Sequence, residues 1–177
     1  MLEKYKYTEN EQKELLKSMV IIIDSREKIN SHITEYFDKH NIPYITKALP
    51  FGDYSFMIPK NEVLSIQREL YFSNDIIIER KANAEELSSN FSQSRTRFEE
   101  EFATSKANTK YLLIEECNYS DIVDGKYKTQ YNSKSYLGSI HSFNQKYGLQ
   151  VVFMPDNKYS PIFIYGTFQY YFRNIIK

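Results

Sequence analysis

The stretch "NDIIIERKANAEELSSNF", residues 74–91, sets three isoleucines directly against Glu79, Arg80 and Lys81 and then runs into helix formers. A short apolar run of this kind reads as a buried strand, and the segment after it as a helix. Side chains alternate along a strand, so Ile77, Glu79 and Lys81 share one face while Ile78 and Arg80 take the other. A carboxylate and an ammonium two residues apart, at the end of a buried strand, match a divalent-metal site with an adjacent cation. Magnesium needs only one or two carboxylates, with water and phosphate oxygens completing its shell. The lysine then orients or helps deprotonate the attacking water, or stabilises charge on the phosphate.

Outward from this strand, helices and strands alternate. Residues 9–17 suit a short polar helix, and "MVIII" (19–23) reads as a buried strand ending at Asp24. A helix is predicted over 29–39 from the spacing of Ile33, Tyr36 and Phe37, then a short strand in "IPYITKAL" before Pro50. "FGDYSFMI" (51–58) is a further strand with Gly52 near its start, and Pro59, Lys60 and Asn61 form a turn. Residues 62–73 carry no assignable pattern. Helices are predicted over 84–90 and about 93–106, then the strand "KYLLIEE", helices over 119–124 and 133–147, and the strand "LQVVFM" (149–154). Ser160 and Pro161 open a last helix as N-cap and first-turn proline, with Ile164, Phe168, Tyr171 and Ile175 on one face. The pattern predicts an α/β fold with a central mixed sheet flanked by helices. A chain of 177 residues fits one domain. Its core is expected over about 19–155, with the polar N-terminal helix and the aromatic C-terminal helix as extensions.

Composition narrows the function classes. With 23 basic and 23 acidic residues the formal charge is zero, so any nucleic-acid-binding surface must be local. Cys117 is the only cysteine, which excludes a disulfide framework or thiolate zinc cluster within one chain and favours a reducing compartment. No segment approaches about 18 uninterrupted apolar residues, and the N-terminus is too charged for a signal peptide. A cytoplasmic protein away from membranes is expected.

One carboxylate rarely holds a metal, and Asp53, beside Gly52, supplies a second. Asp24 and Glu27 in "IIIDSREK" add two more acids where another apolar strand ends. Strand ends that each carry an acid point to one crevice.

In this order, "IIIDSRE", "FGDY" and "IIIERKANAEEL" closely resemble the XPF nuclease family, of the restriction-endonuclease-like superfamily with its PD...(D/E)xK site. The resemblance spans about residues 19–155, and the ERK triplet is its most specific part. It implies magnesium- or manganese-dependent cleavage of branched DNA such as flaps, forks and junctions. By resemblance, Asp53 and Glu79 bind the metal, Lys81 is catalytic, and Asp24 and Glu27 complete the acidic pocket, with Asp24 a further metal ligand. Arg80 supports the site or contacts phosphate, and Arg26 is a further substrate contact. The family has an aspartate four residues after the lysine, where this chain has Glu85 and then Glu86. It also has a Gly-Arg pair whose nearest match is Ser94 and Arg95. Larger members carry a tandem helix-hairpin-helix module that this chain ends too soon to include, so recognition falls to this domain, a homodimer or a nuclease partner protein. The chain resembles bacterial or phage forms serving recombination, repair or replication.

Arg95 also has an argument of its own. On a helix through it, Phe91, Arg95, Phe98 and Phe102 share a face, and an arginine on a core-facing side needs an acid. The active-site carboxylates or a substrate phosphate would satisfy it, and Arg97 then points elsewhere, to solvent or to DNA. His32, His40 and His141 lack metal-ligand spacing. The tyrosines of "GKYKTQYNSKSY", interleaved with lysines, make either a stacking strip for unpaired DNA or an ordinary aromatic loop. The last helix is core or a dimer face. Two functions fit these residues: a metal-dependent endonuclease acting on branched or partly single-stranded DNA, or a non-catalytic DNA-binding scaffold of the same fold. The intact "ERK", "GDY" and "DSRE" favour the enzyme.

Overall fold

The computed structural model describes residues 6–177; the first five residues of the charged N-terminus lie outside the described residues. In chain order the elements are α1 (Glu9–Lys17), β1 (Val20–Ile23), α2 (Ser31–Lys39), β2 (Tyr44–Thr46), β3 (Tyr54–Ile58), β4 (Leu70–Tyr71) and β5 (Ile76–Lys81). The second half of the chain forms α3 (Ala84–Ser92), α4 (Arg95–Thr104), β6 (Thr109–Glu115), α5 (Tyr119–Asp124), α6 (Ser133–Tyr147), β7 (Leu149–Met154) and α7 (Ser160–Ile175). The strands form one mixed sheet in the order β2-β1-β3-β5-β6-β7, with β4 paired to β3. The pairs β1/β2, β5/β6 and β6/β7 are parallel, and β3 is antiparallel to both β1 and β5. This is the helix-flanked mixed sheet that the alternating pattern predicts.

Strand β5 is buried from end to end. Its alternation divides the core. Ile76 and Ile78 pack with Ile21 and Phe56 and with Leu15 of α1, Ile33 and Phe37 of α2, and Ile164, Phe168 and Phe172 of α7. Ile77 packs on the opposite face with Leu112 and Ile114 of β6, beneath Phe91, Phe98, Phe102 and Phe143 from α3, α4 and α6. A fully buried isoleucine contributes on the order of 1.5–3 kcal/mol, so the run in β5 firmly anchors the three charged residues that complete the strand. Helix α3 starts immediately because Asn83 caps it, its side-chain oxygen accepting the Glu86 N–H at 2.9 Å.

Some boundaries differ from expectation. The segment 62–73 forms a bridge between Asn61 and Ile66 and then β4, too short to leave a period-two pattern. Only Tyr44–Thr46 of "IPYITKAL" is strand. The helix expected over about 93–106 starts at Arg95, after a break at Gln93 and Ser94. In α7, Tyr159 holds the N-cap position and Ser160 is the first helical residue. The buried stripe is Ile164, Phe168 and Phe172, continued by Ile176, with Tyr171 and Ile175 at its margin. Cys117 is buried, and its thiol pKa is pushed up to about 12, first by burial and then by the charges of Asp121 and Glu85. Among the described residues no helix is long and apolar enough to cross a membrane.

Gly52 sits where loop 47–53 passes over β5, at φ +77°, and a Cβ there would lie 3.2 Å from Ile77 Cβ and 3.3 Å from the Ile78 carbonyl. Both the left-handed backbone and the close approach require glycine. Gly52→Ala is expected to cost about 2 kcal/mol, read as a lower urea midpoint with unchanged slope.

Candidate functional site

The site is built where β3 meets the end of β5. Tyr54 pairs with Ile78, the Asp53 N–H donates to the Ile78 carbonyl at 2.9 Å, and the Asp53 Oδ2 accepts the Arg80 N–H at 2.7 Å. Asp53 thus grips β5 on both sides of Glu79, its carboxylate standing in for a strand carbonyl just before β3 begins. The Asp24 N–H donates to the Asp53 carbonyl at 2.7 Å, tying β1 to the same point.

Asp53, Glu79 and Lys81 line a cleft of about 310 Å³ with Asn90 of α3, and Arg26, Arg97 and Glu101 line it too. Lys81 Nζ donates to Glu79 Oε1 at 2.8 Å and lies 5.0 Å from the centre of the Phe98 ring. Burial alone would discharge Lys81. The charge and hydrogen bond of Glu79, with Glu86 and Asp53, outweigh burial and raise its pKa above the usual lysine value. Asp53 moves far up from the ordinary carboxylate range, first by burial and then by the charge of Glu79.

Asp24 and Glu27 do not join this group. The Asp24 Oδ1 accepts the Arg26 N–H and Nε–H, both at 2.7 Å, and Oδ2 accepts the Leu49 N–H at 2.6 Å and Arg26 NH2 at 3.1 Å. Both oxygens of the Asp24 carboxylate are thus engaged within the chain, and it organises the loop that carries Gly52 and Asp53. Burial opposes its ionisation, but the Arg26 and Leu49 bonds prevail and lower its pKa. Glu27 does not line the cleft, and its Oε1 accepts from Arg80 NH1 at 3.0 Å. Burial raises its pKa, against the pull of Arg80.

The expectation for Arg80 is support of the site or contact with phosphate. Its guanidinium is buried on the face opposite the cleft, between Glu27 and Glu115 Oε2, the latter at 2.8 Å. It supports β5 from behind and does not line the cleft. Glu115 Oε1 also meets His32 Nε2 at 3.0 Å, so α2, β5 and β6 are joined through one buried polar cluster. Burial alone would raise the Glu115 pKa, yet the bonds with Arg80 and His32 hold it below the usual carboxylate range.

Arg95 does not reach the cleft carboxylates: it turns to α6, donating to Ser139 Oγ at 2.8 Å and to Glu99 at 3.0 Å, with its guanidinium over Phe143. Arg97 is exposed, pairs with Glu101 at 3.1 Å, and lines the cleft. Glu85 accepts the Lys128 N–H at 2.7 Å, whereas Glu86 approaches Lys81 Nζ at 3.6 Å. The tyrosines of 127–136 turn inward: Tyr127 and Tyr131 pack on the buried Tyr136, whose hydroxyl donates to the Ala84 carbonyl at 2.6 Å. Of the residues unanticipated from sequence, Glu115 carried a signal, since it too is an acid ending an apolar strand. Asn90 and Glu86 carried none beyond helix propensity.

The cleft fits a hard divalent cation. Among the described residues no three His, Cys, Asp or Glu are grouped to hold an ion. Magnesium asks for only one or two carboxylates with substrate and water oxygens, and Asp53 and Glu79 supply them. Two observations favour a cation there: burial and then the charge of Glu79 raise the cost of ionising Asp53, and Asn90 Oδ1 is buried without a protein partner.

Removing Arg80 leaves two buried carboxylates without their cation. Arg80→Met is expected to destabilise by about 3–5 kcal/mol in urea unfolding, and Arg97→Ala to stay within about 0.5 kcal/mol of wild type. Glu115, with its pKa lower in the fold than in the unfolded chain, stabilises above about pH 4.3 and loses that contribution as pH falls through the folded value. The stability gap between wild type and Glu115→Gln is therefore expected to be constant near neutrality and to shrink below about pH 5.

No curated protein matches the sequence. Among solved structures, XPF from Aeropyrum pernix superposes with a TM-score of 0.62 at 18% identity, covering 88% of this chain and 66% of that one. A structure of the same protein in complex with DNA gives the same values. This chain thus spans just under two thirds of the length of the structures it resembles, and at that identity the likeness is one of fold. Residues 23–166 match the ERCC4 domain, a span that holds β3, β5 and the whole cleft. The chain belongs to the ERCC4 domain family.

Proposed function

We propose that the protein is a magnesium- or manganese-dependent endonuclease that hydrolyses phosphodiester bonds in branched or partly single-stranded DNA. The observation that carries this reading is the meeting of Asp53, Glu79 and Lys81 in one cleft, at the end of a fully buried strand. Membership of the ERCC4 domain family and a fold like that of a protein solved with DNA support it.

Asp53 and Glu79 would hold the ion, which when bound supplies Lewis-acid activation of water and of a phosphoryl oxygen. Lys81, whose ammonium Glu79 favours in this setting, is placed as a positive charge beside the scissile phosphate. Arg26 and Arg97, both largely exposed where they line the cleft, are placed to contact the phosphates flanking the cut. Their acid partners, Asp24 and Glu101, hold the side chains in position beforehand.

The test is incubation with labelled flap, fork, junction and linear DNA, with magnesium or with chelator. Metal-dependent cutting of branched substrates is expected, with losses of about 100-fold or more in Asp53→Asn, Glu79→Gln and Lys81→Met. Tight binding to the same DNAs without cleavage under any metal would sink the enzyme reading and favour the scaffold.

A further inference from the structure

The cleft contains an internal competition. One oxygen of Glu79 is taken by Lys81 Nζ at 2.8 Å, and one oxygen of Asp53 by the Arg80 N–H. A divalent ion entering between the two carboxylates therefore meets an ammonium already seated on one of its ligands. Like charges this close repel strongly where water is scarce. Lys81 must keep its charge and give up part of its hold on Glu79.

A second anionic seat is already in place. Glu86 Oε1 lies 3.6 Å from Lys81 Nζ. The carboxylate is anchored at its other oxygen, Oε2, which accepts the Ala82 N–H at 2.8 Å, and its backbone N–H is held by Asn83 Oδ1 at 2.9 Å. The seat thus stays fixed while the flexible end of Lys81 moves a short distance. The Phe98 ring 5.0 Å away offers its face to the ammonium as well. Glu85, one residue earlier, is committed to the Lys128 N–H and faces elsewhere.

We propose that Glu86 is a positioning residue for the cation: it is the second seat of the Lys81 ammonium, drawing that charge off Glu79 so that the Glu79 carboxylate can hold a divalent ion. This rests on the reading of the cleft as a cation site. Glu86 acts through Lys81 and is not itself a ligand.

The test is Mn²⁺ binding to the full chain by calorimetry, without DNA, in wild type, Glu86→Gln, Lys81→Met and the double variant. Glu86→Gln is expected to weaken Mn²⁺ binding by about tenfold, in the range for groups that orient a ligand. Glu86→Asp, which keeps the charge, is expected to recover most of the affinity. Lys81→Met is expected to bind at least as tightly as wild type, and in that background Glu86→Gln is expected to change nothing. An unchanged affinity in Glu86→Gln, or a loss that persists in the Lys81→Met background, overturns the proposal while leaving the cation site standing. Absence of Mn²⁺ binding in both wild type and Lys81→Met overturns the cation-site reading and this proposal with it.

Discussion

The hydrogen bond from the Arg80 amide to the Asp53 carboxylate is the constraint on which the site depends. It sets the distance between two strands at the point where their regular pairing stops. A carboxylate in place of a carbonyl gives the strand its missing acceptor and leaves a charged oxygen beside Glu79. One side chain thus both completes the strand pairing and lines the cleft. The cost is visible in the raised pKa of Asp53, which burial and Glu79 together impose. Such strain at a buried pair of acids is what a cation or a cationic side chain relieves.

The architecture around this point arises from burial on both faces of β5. Isoleucines hold the strand between two helical layers, so Glu79, Arg80 and Lys81 are presented with little freedom. Gly52 lets the neighbouring loop lie almost against Ile77, which places Asp53 at the right height. The Asp24 carboxylate then fastens that loop through the Leu49 N–H. Its contribution to the site is mechanical.

Much of this was legible from sequence because it is periodic. The strict alternation in β5 separates Glu79 and Lys81 from Arg80, and the apolar runs in β1, β3, β6 and β7 mark the sheet. The convergence of Asp53 with Glu79 was readable from acids that end neighbouring strands. What was not readable is contact that periodicity does not encode. Arg80 finds Glu115 across 35 positions and Asp24 finds the Leu49 amide across 25, both between different elements, beyond the reach of any one periodic pattern. The two helices either side of Gln93 and Ser94 were expected, but no pattern marked that Arg95 would meet Ser139 of α6 or that Arg97 would line the cleft.

The ERK triplet is commonly read as one unit, yet its three side chains answer to two separate surroundings. Glu79 and Lys81 face the cleft, while Arg80 is committed to Glu27 and Glu115 behind the sheet. The two halves are therefore separable under mutation. A copy of this domain that exchanged Glu79 and Lys81 for neutral residues would, on the proposed reading, lose its chemistry and keep its fold, provided that the arginine and its two acids stayed. The persistence of that arginine in an otherwise altered triplet then marks a domain retained for shape, for binding or for assembly. Its loss marks one in which the fold itself has been rebuilt.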